Sequence, residues 1–209
     1  MSVRTSKRGR IVKKAFTALL GAALLLLVAA PAGAAGVTTE TQDVLGQGVP
    51  GPVYAAGGAT LQRSATGLTA TLTMPTPEPG TYVYPPGNAF QPNGAVQGYP
   101  EAYSFWVFVF NYPALCSAPC DINDVGATTP ARGGAFNAGG HIVGGSTLQM
   151  SGHVSLNTAP FAGSMLLEPQ TAVVHLAVAP HGVLDPALLP TQITKPIGSP
   201  MHWWGALFE

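Results

Sequence analysis

Charged side chains are scarce in this chain of 209 residues: only 9% of them are Asp, Glu, Lys or Arg, whereas 46% are hydrophobic. So little charge is not typical of a coiled coil, and so much apolar content is not typical of a disordered chain. The 26 glycines and 20 prolines leave few stretches long enough for a helical bundle. The composition therefore favours a globular protein with little helix.

The few basic side chains are concentrated at the N-terminus. A charge-free apolar run follows them over residues 15–30, and the small residues Ala-Gly-Ala stand at 32–34. This order of basic, apolar and small residues predicts a secretory signal peptide over residues 1–34. An uncleaved membrane anchor is the alternative, because the run over residues 15–35 is marginally long enough to span a bilayer. Six of the nine basic residues lie in the first segment: Arg4, Lys7, Arg8, Arg10, Lys13 and Lys14.

The chain that remains after cleavage is acidic. It keeps three basic residues, Arg63, Arg132 and Lys195, and all nine acidic ones, so its formal charge is −6. Three scattered cations cannot replace the counterions of phosphates, which argues against nucleic acid as a partner. We expect a secreted or cell-envelope protein with no stable membrane span after cleavage. A cell-wall or other extracellular partner stays open, and the sequence gives no oligomeric state.

Cysteine occurs only twice, as Cys116 and Cys120 in the segment Cys-Ser-Ala-Pro-Cys. In an oxidising compartment such a pair is expected to form a short disulfide loop. Three intervening residues differ from the two of common redox and zinc motifs, so we interpret the pair as structural. Asp121 and Asp124 follow directly. They could hold calcium, but we interpret them as turn residues that accept local backbone hydrogen bonds.

The residue patterns predict strands near residues 68–74, 103–112, 138–144, 148–157, 171–179 and 201–208. In 68–74, 148–157 and 171–179 the pattern is an alternation between two faces. The segment 103–112 is apolar on both faces, which indicates a central strand, and 138–144 is expected to form a hairpin with 148–157. We predict an all-β, single-domain antiparallel β-sandwich with Greek-key or immunoglobulin-like topology over residues 59–209. Residues 35–58 are expected to be a flexible N-terminal lead, and residues 75–100 an elaborated loop.

Four of the five histidines are candidate ligands for copper or zinc, because neutral imidazole binds both metals. These candidates are His141, His153, His175 and His181. If the connection between residues 157 and 171 folds symmetrically, His153 and His175 become neighbours across two strands. The alternative is that the histidines bond to nearby backbone groups. We therefore assign no cofactor, with copper or zinc as the alternative.

Catalytic motifs are missing from the sequence. It has no Gly-x-Ser-x-Gly turn and no phosphate-binding loop with its lysine, so no catalytic residue is assigned. Aromatic side chains offer a different possibility. Tyr82, Tyr84 and Trp204 are candidates for stacking on a ligand such as a sugar, and packing in the core is the alternative.

Several segments occur together in a familiar order. They are Phe-Asn-Tyr-Pro at 110–113, the cysteine loop with its acid at 116–121, Gly-His-Ile-Val-Gly at 140–144 and Val-His-Leu-Ala-Val-Ala-Pro-His-Gly at 174–182. This order resembles a family of uncharacterised secreted bacterial proteins over residues 60–208. The resemblance implies a secreted β-rich domain without an established activity and gives weight to His141, His175 and His181. Residues 81–101 look like an insertion relative to that pattern.

Taken together, these observations predict a secreted, non-catalytic extracellular or cell-envelope protein. Two alternatives remain. One is a copper- or zinc-binding protein that uses the four candidate histidines, and the other is a carbohydrate-binding module that uses the three candidate aromatic residues.

Overall fold

The computed structural model describes residues 36–46, 51–78, 100–195 and 203–209. These residues belong to one compact unit, Ala34–Glu209. The predicted signal peptide, Tyr82 and Tyr84 lie outside the described residues, as does most of the predicted loop 75–100, so these predictions stay predictions.

The described part of the chain is all-β, as the sequence predicts. The strands are β1 Thr38–Gly46, β2 Val53–Ser64, β3 Gly67–Pro75, β4 Glu101–Phe110, β5 Gly133–Val143, β6 Thr147–Ser155, β7 Ala162–Gly163, β8 Val173–Val183 and β9 Trp204–Phe208. Within these described ranges, helix is limited to the single turn α1, Leu189–Gln192, and two 3-10 turns, Pro113–Leu115 and Ile122–Asp124. Within the described residues, no helix has the length and apolar character needed to cross a membrane.

The strands form one continuous antiparallel sheet that curls into a half-barrel, in the order β6-β3-β2-β1-β9-β8-β4-β5-β7. The antiparallel prediction is confirmed, whereas two stacked sheets with Greek-key topology are not confirmed. The alternation of apolar residues identifies the buried face of a strand. It does not tell whether a second sheet or the curl of the same sheet covers that face.

Strand β1 lies within the segment that was expected to be a flexible lead, and this expectation is wrong for Thr38–Gly46. The strand pairs with both β2 and β9 near the middle of the sheet. The first six residues of β1 are mostly exposed, and Val44 is fully buried near its end. A strand with so few buried residues lacks the clean alternation that would identify it from sequence.

The central-strand prediction for residues 103–112 is confirmed by β4, which lies between β5 and β8. Its inner face contributes Tyr103, Phe105, Val107 and Val109 to the core. Its outer face is covered as well, since the ring of Phe161 packs edge-on against Trp106 at a centroid distance of 5.3 Å. Burial on both faces explains why no polar alternation marks this strand.

The predicted hairpin between residues 138–144 and 148–157 is wrong, although both segments are strands. In the described part of the chain, β5 pairs with β4 and β7, while β6 pairs with β3. The two strands therefore stand near opposite ends of the sheet order, and the short connection at residues 144–146 crosses the gap of the half-barrel. Gly152 of β6 lies so close to Ala138 of β5 that a Cβ at Gly152 would overlap the Cβ and the carbonyl oxygen of Ala138.

We expect Gly152→Ala to destabilise the protein by roughly 2 kcal/mol, because the new methyl group meets backbone that cannot move without opening the contact between β5 and β6. Urea unfolding followed by circular dichroism measures the change. Gly145→Ala is the matched control, because nothing lies within 4 Å of a Cβ at that exposed position. Equal effects of the two changes would contradict the close approach of β5 and β6.

Candidate functional site

Several strands begin or end at one end of the half-barrel, which we call the Glu101 end. Glu101, the first residue of β4, lies opposite the last residues of β5 and β8. Trp204, the first residue of β9, lies opposite the last residue of β1. The last residue of β3 likewise pairs with the first residue of β6. The buried side chains at this end include Glu101, Tyr103 and Trp204.

Glu101 is buried at this end, with 1% of its surface exposed. Its position two residues before Tyr103 directs it to the same inner face of β4. The Tyr103 hydroxyl donates a hydrogen bond of 3.0 Å to Glu101 Oε2, and Oε1 has no hydrogen-bond partner in the structure. Burial raises the pKa of Glu101 to about 7, and the bond from Tyr103 opposes this rise only in part.

Aromatic rings surround the same inner region. The ring of Trp204 lies 6.5 Å from that of Tyr103 and 5.9 Å from that of Tyr54, measured between centroids. Only 6% of Trp204 is exposed. The Trp204 side chain points into the core, and its neighbour Trp203 is the half-buried member of the pair. The role of Trp204 as a ligand-stacking residue stays a prediction.

The outer face at this end holds a buried polar cluster that the sequence did not reveal. Ser104 Oγ and His181 Nε2 share a hydrogen bond of 2.6 Å, and Trp106 Nε1 donates one of 2.6 Å to the same Ser104 oxygen. Both Ser104 and His181 are 0% exposed. Gln192 of α1 covers this region and donates to the carbonyl oxygen of His181 at 3.4 Å. A serine and a histidine at this distance could form a nucleophile and base, but no solvent reaches them here.

The structure does not bring the four candidate histidines together. His141 and His153 are exposed on β5 and β6, and His153 Nδ1 lies 2.9 Å from Thr69 Oγ1. The predicted pairing of His153 with His175 is wrong, because β6 pairs with β3 whereas β8 pairs with β4 and β9. Across the described ranges, no group of three or more His, Cys, Asp or Glu side chains is placed to hold a metal ion.

The predicted disulfide between Cys116 and Cys120 is present, with a Cα–Cα distance of 5.0 Å. The Asp124 carboxylate accepts hydrogen bonds from the N–H groups of Asp121 and Ser117 at 3.0 and 3.1 Å. These bonds, with one from the Ser117 hydroxyl, hold the pKa of Asp124 below its usual range. Asp121 in turn accepts a bond of 2.7 Å from the N–H of Asn123. Both carboxylates thus act within the loop, as turn chemistry requires.

His175 gives the protein a testable acid sensitivity. Burial lowers its pKa from 6.5 to about 4, although the negative charge of Asp121 opposes this shift. The unfolded chain therefore binds the proton at a higher pH than the folded one, and stability is lost as the pH falls from 6.5 toward 4. The full loss is roughly 3 kcal/mol.

We expect His175→Gln to remove most of this loss, as measured by urea unfolding over the same pH range. His153→Gln is the matched control, because it makes the same substitution at an exposed position. If the stability of His175→Gln depends on pH in the same way as that of wild type, another group causes the acid sensitivity.

Comparison of the chain with protein-family models, with curated proteins and with solved structures finds no match. The resemblance to a family of secreted bacterial proteins therefore stays a prediction.

Proposed function

We propose that this chain is an exported, non-catalytic binding protein of the cell exterior or envelope. The observation that carries the proposal is the Cys116–Cys120 disulfide in a chain whose first 34 residues have the basic, apolar and small pattern of a signal peptide. A disulfide persists in the oxidising compartments to which such a signal leads. The resemblance to secreted bacterial proteins agrees with this proposal.

The state of the chemically capable side chains supports a non-catalytic role. Ser104, His181 and Asp124 are all engaged in hydrogen bonds within the protein. Catalysis needs a nucleophile or base whose reacting atom is available to a substrate. The curled sheet with a buried carboxyl at one end is instead an arrangement that suits binding, because ligand sites often lie at the mouths of curled or closed sheets.

The export proposal is tested by producing the full chain with its own N-terminus in a bacterium and measuring the mass of the protein outside the cytoplasm. We expect a chain that begins at Ala35 and contains no thiol that reacts with an alkylating reagent before reduction. A full-length chain in the cytoplasm with two reactive thiols would overturn the proposal. A full-length chain in the membrane fraction would support the uncleaved anchor instead.

The copper and zinc alternative has a separate test. Metal analysis of untagged protein, with and without added copper or zinc, should show no stoichiometric ion if the proposal is right. A bound ion that is lost on His141→Ala and on His175→Ala would establish the alternative, and circular dichroism of both variants shows whether the fold persists.

A further inference from the structure

Glu101 differs from the other buried charged residues of the described chain because its charge is not compensated. Arg63 forms an ion pair with Glu40 and donates to the carbonyl oxygens of Pro169 and Ala172. Asp124 accepts several backbone and hydroxyl hydrogen bonds. Glu101, by contrast, has one oxygen bonded to Tyr103 and one that is buried without a partner.

A buried carboxylate is costly unless a positive group lies beside it. Within the described residues, no basic side chain forms an ion pair with Glu101. Arg63 forms its ion pair next to the last residue of β2. Arg132, which donates to Ser164, lies just before the first residue of β5. Both therefore lie at the end of their strands that is opposite the Glu101 end. Lys195 is exposed. The ionised form of Glu101 thus needs a cation that this part of the chain does not provide.

The surroundings of Glu101 indicate which kind of cation fits. The rings of Tyr103, Trp204 and Tyr54 lie in sequence along the same inner region, and aromatic faces attract organic cations, Trp most strongly. A metal ion fits less well, because calcium requires six to eight oxygen ligands and copper or zinc prefer nitrogen and sulfur. One carboxylate beside aromatic rings is the chemistry that binds a protonated or quaternary amine.

We propose that the Glu101 end binds a small organic ammonium ion, with the Glu101 carboxylate as its counter-ion and the rings of Trp204 and Tyr103 against its carbon atoms. The proposal rests on the binding role proposed above and names the class of ligand. The Tyr103 hydroxyl, which donates to Oε2, keeps the carboxylate oriented while Oε1 faces the ligand.

The test uses the mature chain and two probes, methylammonium and tetramethylammonium chloride, with sodium chloride at equal ionic strength as the reference. Thermal unfolding and tryptophan fluorescence are recorded at about pH 8, where Glu101 is ionised, and at about pH 5, where it is protonated. We expect a saturable response to at least one ammonium probe at the higher pH, and a response at least about tenfold weaker at the lower pH.

Two variants make the assignment specific. Glu101→Gln keeps the size of the side chain and removes its charge, so the probe should bind at least about tenfold more weakly than to wild type. Glu168→Gln removes an exposed carboxylate and should leave binding unchanged. Circular dichroism shows that each variant is folded.

The inference is overturned if the wild-type protein shows no response beyond that to sodium chloride, or if Glu101→Gln responds as strongly as wild type. Either outcome leaves the export proposal intact, because the mass of the exported chain and its lack of reactive thiols do not depend on Glu101. Export that fails while ammonium binding persists would instead overturn only the proposed location.

Discussion

Replacing Trp204 by alanine is expected to lower the free energy of unfolding by about 4 kcal/mol, as for other large aromatic residues removed from a core. The expectation follows from burial: only 6% of Trp204 is exposed, and its ring packs against those of Tyr54 and Tyr103. Deleting the ring leaves a cavity between β9 and the rings of Tyr54 and Tyr103. Urea unfolding followed by circular dichroism gives the free-energy change.

Trp203→Ala is the matched control, because it removes the same side chain from the neighbouring half-buried position. Adjacent residues at the start of a strand point to opposite faces, so we expect the loss at Trp203 to be about 1 kcal/mol. A small loss at Trp204 with an equal or larger loss at Trp203 would reverse the assignment of these residues to core and surface.

The elements that could be predicted are those whose signal is local. The alternation of apolar residues with threonine identifies β3, and the doubly apolar run identifies β4 as a central strand. The spacing of Cys116 and Cys120, in a chain predicted to be exported, was enough to predict their disulfide. Each of these features depends on residues within about a dozen positions of one another, so single-sequence reasoning reaches them.

The elements that could not be predicted depend on contacts between distant residues. The short glycine-rich connection between β5 and β6 favours a hairpin on local grounds, yet these strands stand near opposite ends of the sheet order. The signal that could have raised doubt is Gly152, a glycine inside an alternating strand, which often marks a close approach of backbone. The expected proximity of His153 and His175 depended on a pairing of β6 with β8, whereas β6 pairs with β3 and β8 with β4 and β9.

The candidate site was missed for a different reason. Glu101 and Ser104 lie in β4, and the apolar pattern of this strand predicts a structural role only. The inward positions of Tyr103, Phe105 and Val107 extend by alternation to Glu101, so the sequence does contain a signal for an inward carboxyl. It contains no signal for the bond between Ser104 and His181, because the bond joins β4 to a distant part of β8.

The Glu101→Gln variant is expected to be more stable than wild type by about 3 kcal/mol at alkaline pH and nearly equal to it below pH 4.5. Burial raises the pKa of Glu101 from 4.5 to about 7, so the folded protein holds the proton more tightly than the unfolded chain. The stability that this proton gives is complete below 4.5 and is lost as the pH rises through 7. Glutamine stays neutral and can still accept the hydrogen bond of Tyr103.

The measurement is urea unfolding of both proteins from acid to alkaline pH in buffers without amines, so that no ammonium ion can serve as a partner for Glu101. The difference between the two proteins cancels the titration of groups that they share, His175 included. Glu168→Gln, at an exposed position, is the matched control for the loss of a carboxylate. If Glu101→Gln were less stable than wild type at alkaline pH, the ionised carboxylate would have a stabilising partner within the chain, and the ammonium site inferred for this end would lose its basis.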